Sequence, residues 1–214
     1  MQSLLRIAVF YDGYYFDCAQ NYFFGHKKGW LSLRQFHKFL ERYVSKKIQG
    51  DFEYKVVYAG WYQGLYTIKN TDEKQLKRDR RKHHDLMHAG IESKFYPMSE
   101  KNNKEKGVDV AMAIDVFENC LAGIFDVAVL VTGDGDFVPL ARALMKHSVI
   151  VINSHFNYQE ENGAKSYSNE RLQKVCNHVI NINSLENDNE YKEDFNNLFR
   201  KIDSTSESDY YCEK

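Results

Sequence analysis

The sequence predicts an α/β fold with a mainly parallel sheet covered by helices on both faces. Two observations carry this. The runs at 4–11 (LLRIAVFY), 126–132 (DVAVLVT) and 149–153 (VIVIN) are apolar almost throughout, as strands buried on both faces must be. Between the strands lie stretches with helical spacing, and alternation of this kind makes a parallel sheet the expected architecture.

The elements follow in order. Leu4 to Tyr11 is the first strand and ends at Asp12-Gly13. Ser32 to Lys47 places Leu33, Phe36, Phe39, Leu40, Tyr43 and Val44 on one helix face, with Ser32 as N-cap. Phe52 to Tyr62 is rich in β-formers and reads as a second strand. Asp72 to Ala89 is polar and helix-favouring, and Gly90 is a natural stop. Ile91 to Met98 is a third strand, placed near an edge by Pro97. A charged loop at 101–106 precedes a helix from Val108 to Leu121, whose expected inner face is Val110, Ala113, Ile114, Phe117 and Leu121. Asp126 to Thr132 is the clearest buried strand. A helix at 137–146, a strand at 149–153, a short helix at 169–176 and a last strand at 178–182 complete the pattern.

A chain of 214 residues suits one domain plus a tail. The expected domain is 1–185. Residues 186–214 read as an acidic, partly disordered tail, because Leu185 to Lys214 holds nine acidic and four basic residues, a net of −5. With −1 for the whole chain, the body carries +4, which is compatible with a polyanionic partner. The four cysteines are scattered without CxxC spacing, so neither a disulfide framework nor a zinc site is indicated. The N-terminal segment lacks the pattern of a signal peptide, and no apolar run approaches the roughly 18 residues of a membrane span. A cytoplasmic protein without membrane contact is expected.

The residues that carry chemistry are acids. Asp12 follows the first strand directly, and Asp134 and Asp136 follow DVAVLVT in TGDGDF. Asp109 lies in the first turn of the helix opened by Lys106-Gly107, where a negative charge is favoured. In a parallel sheet all four reach the carboxyl edge, where ligands bind at the point of strand-order reversal. Like charges so placed repel, and a divalent cation removes that penalty. All-oxygen ligation favours Mg²⁺ or Mn²⁺ over Zn²⁺. Such an ion can polarise a phosphodiester and activate water. Three of the acids also have a plain structural reading: a turn at Asp12-Gly13, an N-cap at Asp134, a dipole partner at Asp109.

Three stretches, IAVFYDG at 7–13, KGVDVAMAIDVFENCLAG at 106–123 and DVAVLVTGDGDFVPLARAL at 126–144, resemble the LabA-like branch of the NYN domain family, within the PIN-like nuclease superfamily. A weaker echo extends the likeness through about residue 185. The resemblance implies a Rossmann-like, PIN-like sheet and a metal-dependent endoribonuclease. Asp12, Asp109, Asp134 and Asp136 would bind Mg²⁺ or Mn²⁺, and cleavage would leave a 5′-phosphate and a 3′-hydroxyl. Relatives often carry Asp-Gly-x-Asn after the first strand, where this chain has Tyr15, and an Asp near the last strand, where it has Asn177. Both residues are therefore candidates for a supporting role around the site. The two departures leave a second reading open, a catalytically weak RNA-binding or regulatory protein that keeps the fold.

Lys104 and Lys106 are the expected phosphate contacts, with Tyr14 and Thr132 also at the substrate. Tyr14 and Trp61 are the aromatics to test for base stacking. Asp115 lies about 120° around its helix from Asp109, so it is assigned a structural or supporting role. The basic run at 74–82 reads first as a solvated helix face, and His83-His84 lacks metal-ligand spacing. RNA is the expected partner, and association with a second copy is left open.

Overall fold

The structure, a computed structural model, describes residues 3–67, 69, 71–99, 105–159, 163 and 165–200. Lys104 and the segment 203–214 lie outside the described residues.

The first half of the chain forms β1 (Ser3–Asp12), α1 (Gly13–Gly25), β2 (Trp30–Leu31), α2 (Leu33–Lys47), β3 (Phe52–Leu65), α3 (Glu73–His88) and β4 (Glu92–Pro97). The second half forms α4 (Val108–Leu121), β5 (Val127–Val131), α5 (Val138–Lys146), β6 (Ile150–His155), β7 (Tyr158–Gln159), β8 (Lys165–Ser166), α6 (Glu170–Val175), β9 (His178–Asn181), α7 (Lys192–Asn197) and β10 (Phe199–Arg200). Six strands make one sheet in the order β4-β3-β1-β5-β6-β9, every neighbouring pair parallel. The order runs outward from β1 to β4, then returns to β5 on the other side of β1. The switch point is therefore between β1 and β5.

Both faces of the sheet are sealed. Ile7, Val9 and Tyr11 of β1 and Val127, Val129 and Val131 of β5 pack with α1, α2 and α7. Ala8, Phe10, Ala128 and Leu130, on the opposite face, pack with α4, α5 and α6. All of these strand residues are fully buried, which is why the strands read as continuous apolar runs rather than as alternation. β4 lies at the sheet edge, as Pro97 at its end required. No described helix is long and apolar enough to cross a membrane.

Two local expectations are corrected, and one element is added. The aromatic run after Asp12, which the spacing assigned to no element, is a helix, α1, whose periodicity is hidden because aromatic residues occupy nearly every face. In α4 the buried residues are Val108, Met112, Val116 and Cys120, whereas Val110, Ile114 and Leu121 are more than half exposed. This helix is apolar around most of its girth, so spacing alone could not select the inner face.

The second correction concerns the boundary at 185. Residues 188–200 are not a tail. Tyr191, Phe195 and Leu198 are buried in the main core, and Tyr191 packs on Tyr43 with ring centroids 5.6 Å apart. β10 pairs with β2, and the Ser32 N–H donates to the Leu198 carbonyl at 2.7 Å. The acidity that suggested disorder is matched by cations outside the segment: Lys28 pairs with Glu186, Arg42 with Asp194 and Lys46 with Glu190. Phe195→Ala should therefore destabilise the protein by about 3 kcal/mol or more, the usual cost of emptying a buried aromatic site. Urea unfolding measures it, and an unchanged midpoint would return the segment to the status of a tail.

Candidate functional site

Parallel pairing sets the height of the first two groups. Tyr11 is in register with Val131, so Asp12 and Thr132 emerge together at the carboxyl edge. The Thr132 hydroxyl donates to Asp12 Oδ2 at 3.3 Å and accepts the Asp134 N–H at 3.1 Å. Asp12 also caps α1, its Oδ1 accepting the Tyr15 N–H at 3.1 Å. Helix α1 can start this close to β3 only at a glycine, because a Cβ on Gly13 would lie 2.4 Å from Trp61 Nε1. Below the edge, buried Asn153 donates to the Thr132 carbonyl at 2.8 Å and accepts from Ser168 at 2.8 Å, pinning the end of β5.

The chain then turns sharply. Asp134 Oδ1 accepts the Asp136 N–H at 2.8 Å, and both side chains are exposed. A Cβ on Gly133 would meet the Tyr167 carbonyl at 2.4 Å and the Tyr15 ring at 2.9 Å, so this turn is wedged against its neighbours. Asp109 stands in the first turn of α4, after Gly107 in the left-handed region at φ +74°.

The four acids named from sequence sense one another. Burial, with a smaller push from Asp109 and Glu105, raises the Asp12 carboxyl to about 6, against the pull of Tyr15 and Thr132. Asp109 is raised by burial and then by the charges of Asp134 and Asp136. None of the four pairs with a cation among the described residues. Nor are any three His, Cys, Asp or Glu side chains among the described residues gathered closely enough to hold an ion as they stand.

Glu105 is a fifth carboxylate that sequence reasoning missed. Its Oε1 accepts the Gly64 N–H at 2.7 Å, which ties the end of β3 to the start of α4. Burial raises its pKa, and Asp109 adds to the rise. Its signal was its place two residues before Gly107, in the loop that opens α4. Asn169 was also missed. Its N–H donates to the Gly133 carbonyl at 2.9 Å, and its side chain fills the space where a Cβ on Gly135 would stand.

The other candidates divide. Tyr15 supports the edge: its N–H bonds Asp12, and its hydroxyl donates to the Phe156 carbonyl at 3.1 Å while accepting the Phe156 N–H at 2.8 Å. Tyr14 is exposed, and its hydroxyl pKa is raised by neighbouring Cys18 and, to a smaller degree, by Glu105. Lys106 is exposed at the mouth of α4. Asp115 braces α4 against the sheet through the Tyr62 hydroxyl and Lys94 Nζ, the latter at 2.7 Å.

Two expectations fail on position. Trp61 is buried, with its Nε1 donating to Gln63 at 2.9 Å, and offers no face to a base. Asn177 precedes β9 and accepts the Val151 N–H at 2.8 Å, which places it at the amino edge of the sheet, opposite Asp12. It cannot support the carboxylates. In the basic helix α3, Lys82 is engaged by Asp17 and lies over the Trp61 ring, and Lys77 pairs with Glu73. Both contacts suit a structural helix face.

Two outcomes are expected. Asp12 binds its proton more tightly folded than unfolded, so its contribution to stability is full below about pH 4 and lost as pH rises through about 6. The swing is about 3 kcal/mol at most. Melting curves in EDTA should show it, and Asp12→Asn, which can still accept from Tyr15, should flatten it. An equally steep profile in the variant would sink this assignment. Glu105→Ala should speed amide exchange at Gly64 while Glu105→Gln leaves it protected, as read by NMR.

The chain matches the NYN domain family over residues 6–183, a span that runs from within β1 through β9 and holds all four acids. Its fold is similar to the crystal structure of a protein of unknown function from Vibrio parahaemolyticus, with a TM-score of 0.55 and 21% identity over 89% of this chain and 99% of that one. At that identity the likeness concerns the fold alone. No curated protein matches the chain. On the extent of the family match, this chain belongs to the NYN domain family.

Proposed function

We propose that the protein is a Mg²⁺- or Mn²⁺-dependent endoribonuclease whose ion is held by Asp12, Asp109, Asp134 and Asp136. The NYN domain is a nuclease-type fold. The KGVDV and TGDGDF motifs suggest its LabA-like branch. One observation supports the activity most. At the β1–β5 switch point Asp12 and Asp109 hold their protons more tightly than free carboxyls, through burial first and neighbouring carboxylates second, and among the described residues none of the four acids pairs with a cation. Natural sites keep such repulsion where a ligand of opposite charge relieves it.

The donor set is all oxygen and suits a hard divalent ion. When bound, the ion supplies charge to polarise a phosphodiester and to make water more acidic. The protein's own groups do the rest. Thr132 and the Tyr15 N–H hold Asp12 in one orientation. The wedged turn at 133–136 carries Asp134 and Asp136 on exposed side chains that can swing toward Asp109. Lys106 and Tyr14 flank the edge and would meet the RNA phosphate and a base; Lys104 is assigned with them from sequence. The domain assigned to this function comprises 1–185, with 188–200 completing its core.

A second reading is a catalytically weak RNA-binding or regulatory protein. It is favoured by one observation, that no three candidate ligands are gathered to coordinating distance among the described residues.

Mixed RNA incubated with the protein should be cut in Mn²⁺ and not in EDTA. Asp134→Asn should lower the rate by more than the roughly 10–100-fold that loss of a supporting group costs. The same variant should lose most of the Mn²⁺-induced rise in melting temperature. Binding of RNA without cleavage by the wild type in either metal would favour the second reading.

A further inference from the structure

Helix α3 carries a pair of histidines that the carboxylate site does not use. His84 and His88 are four residues apart, one turn along the helix, and both are exposed. Their Nε2 atoms are 3.0 Å apart, with ring centroids 4.2 Å apart and planes inclined at 60°. The two nitrogens thus meet at the same point beside the helix, each able to act as donor or acceptor according to its tautomer. The neighbouring His83 is turned away, its Nδ1 lying 2.9 Å from Ser93 Oγ. The pair that matters is therefore the one spaced i, i+4 and not the adjacent His83-His84.

The separation has a chemical meaning. Two nitrogen ligands at about 2.05 Å from one ion lie about 2.9 Å apart at a right angle and about 3.4 Å apart at the tetrahedral angle. The observed gap fits the right angle, the arrangement of neighbouring ligands in square-planar or octahedral ions. Imidazole suits Ni²⁺ and Cu²⁺, whereas carboxylates suit Mg²⁺ and Mn²⁺.

The setting helps. His88 is in the last turn of α3, where the helix dipole favours a cation. Arg34 Nε donates to the His88 carbonyl at 2.8 Å and fixes that turn. Asp85 Oδ1 lies 3.9 Å from His84 Nδ1 and adds negative charge nearby. Against this, Arg80 and Arg81 precede His84 by one turn and oppose a dication. Among the described residues no third His, Cys, Asp or Glu side chain completes the set, so the remaining positions of a bound ion would be left to water.

We propose that His84 and His88 form a two-ligand surface site for a transition-metal dication of the Ni²⁺ or Cu²⁺ type. It is separate in place and in chemistry from the carboxylate edge, and it does not depend on the nuclease reading. Calorimetric titration of the full chain with Ni²⁺ tests it, in excess Mg²⁺ and at mildly alkaline pH where imidazole is neutral. One Ni²⁺ should bind per chain. His84→Ala and His88→Ala should each weaken it at least tenfold, and His83→Ala should leave it unchanged. Because these side chains are exposed, melting curves should show all three variants folded. Cu²⁺ added to the wild type should give an electron paramagnetic resonance spectrum split by two nitrogens, reduced to one by His88→Ala. Ni²⁺ affinity that survives His84→Ala or His88→Ala, or that falls equally in His83→Ala, would overturn the proposal.

Discussion

The backbone pairing of β1 with β5 governs the rest of the molecule. Residues seven to eleven of one strand are locked beside 127–131 of the other, parallel and in even register. That register brings Asp12 and Thr132 out of the sheet at the same level, close enough to hydrogen bond. Side chains alternate along a strand, so a slip of one residue would turn Asp12 toward the opposite face and send every core residue of β1 to the wrong side. Burial on both faces makes that slip prohibitive. The same apolar force that folds the sheet therefore also aligns the polar groups at its edge.

Those polar groups sit against the preference of an isolated fold. Asp12 is largely buried, and Asp109 is partly buried beside the charges of Asp134 and Asp136, so Asp12 and Asp109 hold a proton more tightly than a free carboxyl does. The surrounding contacts resist relaxation. Tyr15 ties the start of α1 to the end of β6, and its ring meets the turn at Gly133. Glu105 anchors the opening of α4 to β3, while Asn153 and Ser168 hold the end of β5 from below. Most of these supports come from segments distant in sequence, and their common effect is to fix the backbone segments that carry the acids.

Charge is arranged differently at the other side of the molecule. The segment after β9 is acidic, and α2 with the turn before β2 is basic; the two meet in three ion pairs. Surface pairs of this kind are individually weak. The segment is held chiefly by Tyr191, Phe195 and Leu198, which complete the core over α1 and α2. The electrostatic match explains why an acidic composition is compatible with order here, and the family match, which ends at 183, stops short of this closing layer.

Much of the fold was readable before any coordinates. Continuous apolar strands such as DVAVLVT, the amphipathic face of α2 and the edge-marking Pro97 each reflect a local rule, and each element formed where the rule placed it. The acids were readable for the same reason, since a residue directly after a buried parallel strand has only one edge to reach. Tertiary structure decided what local rules leave degenerate. It chose the inner face of α4, because a helix apolar on most sides has no preferred face in isolation. It buried Trp61 and sent Asn177 to the far edge, because those positions depend on which strands are neighbours. It recruited Glu105 and Asn169 to the edge through contacts with Gly64 and Gly133. By itself the sequence determined the six strands of the main sheet, helices α2 to α6 and the edge on which the acids stand. Packing between distant segments decided which groups support those acids, because hydrogen bonds and burial across the sheet are not encoded in any one stretch of chain.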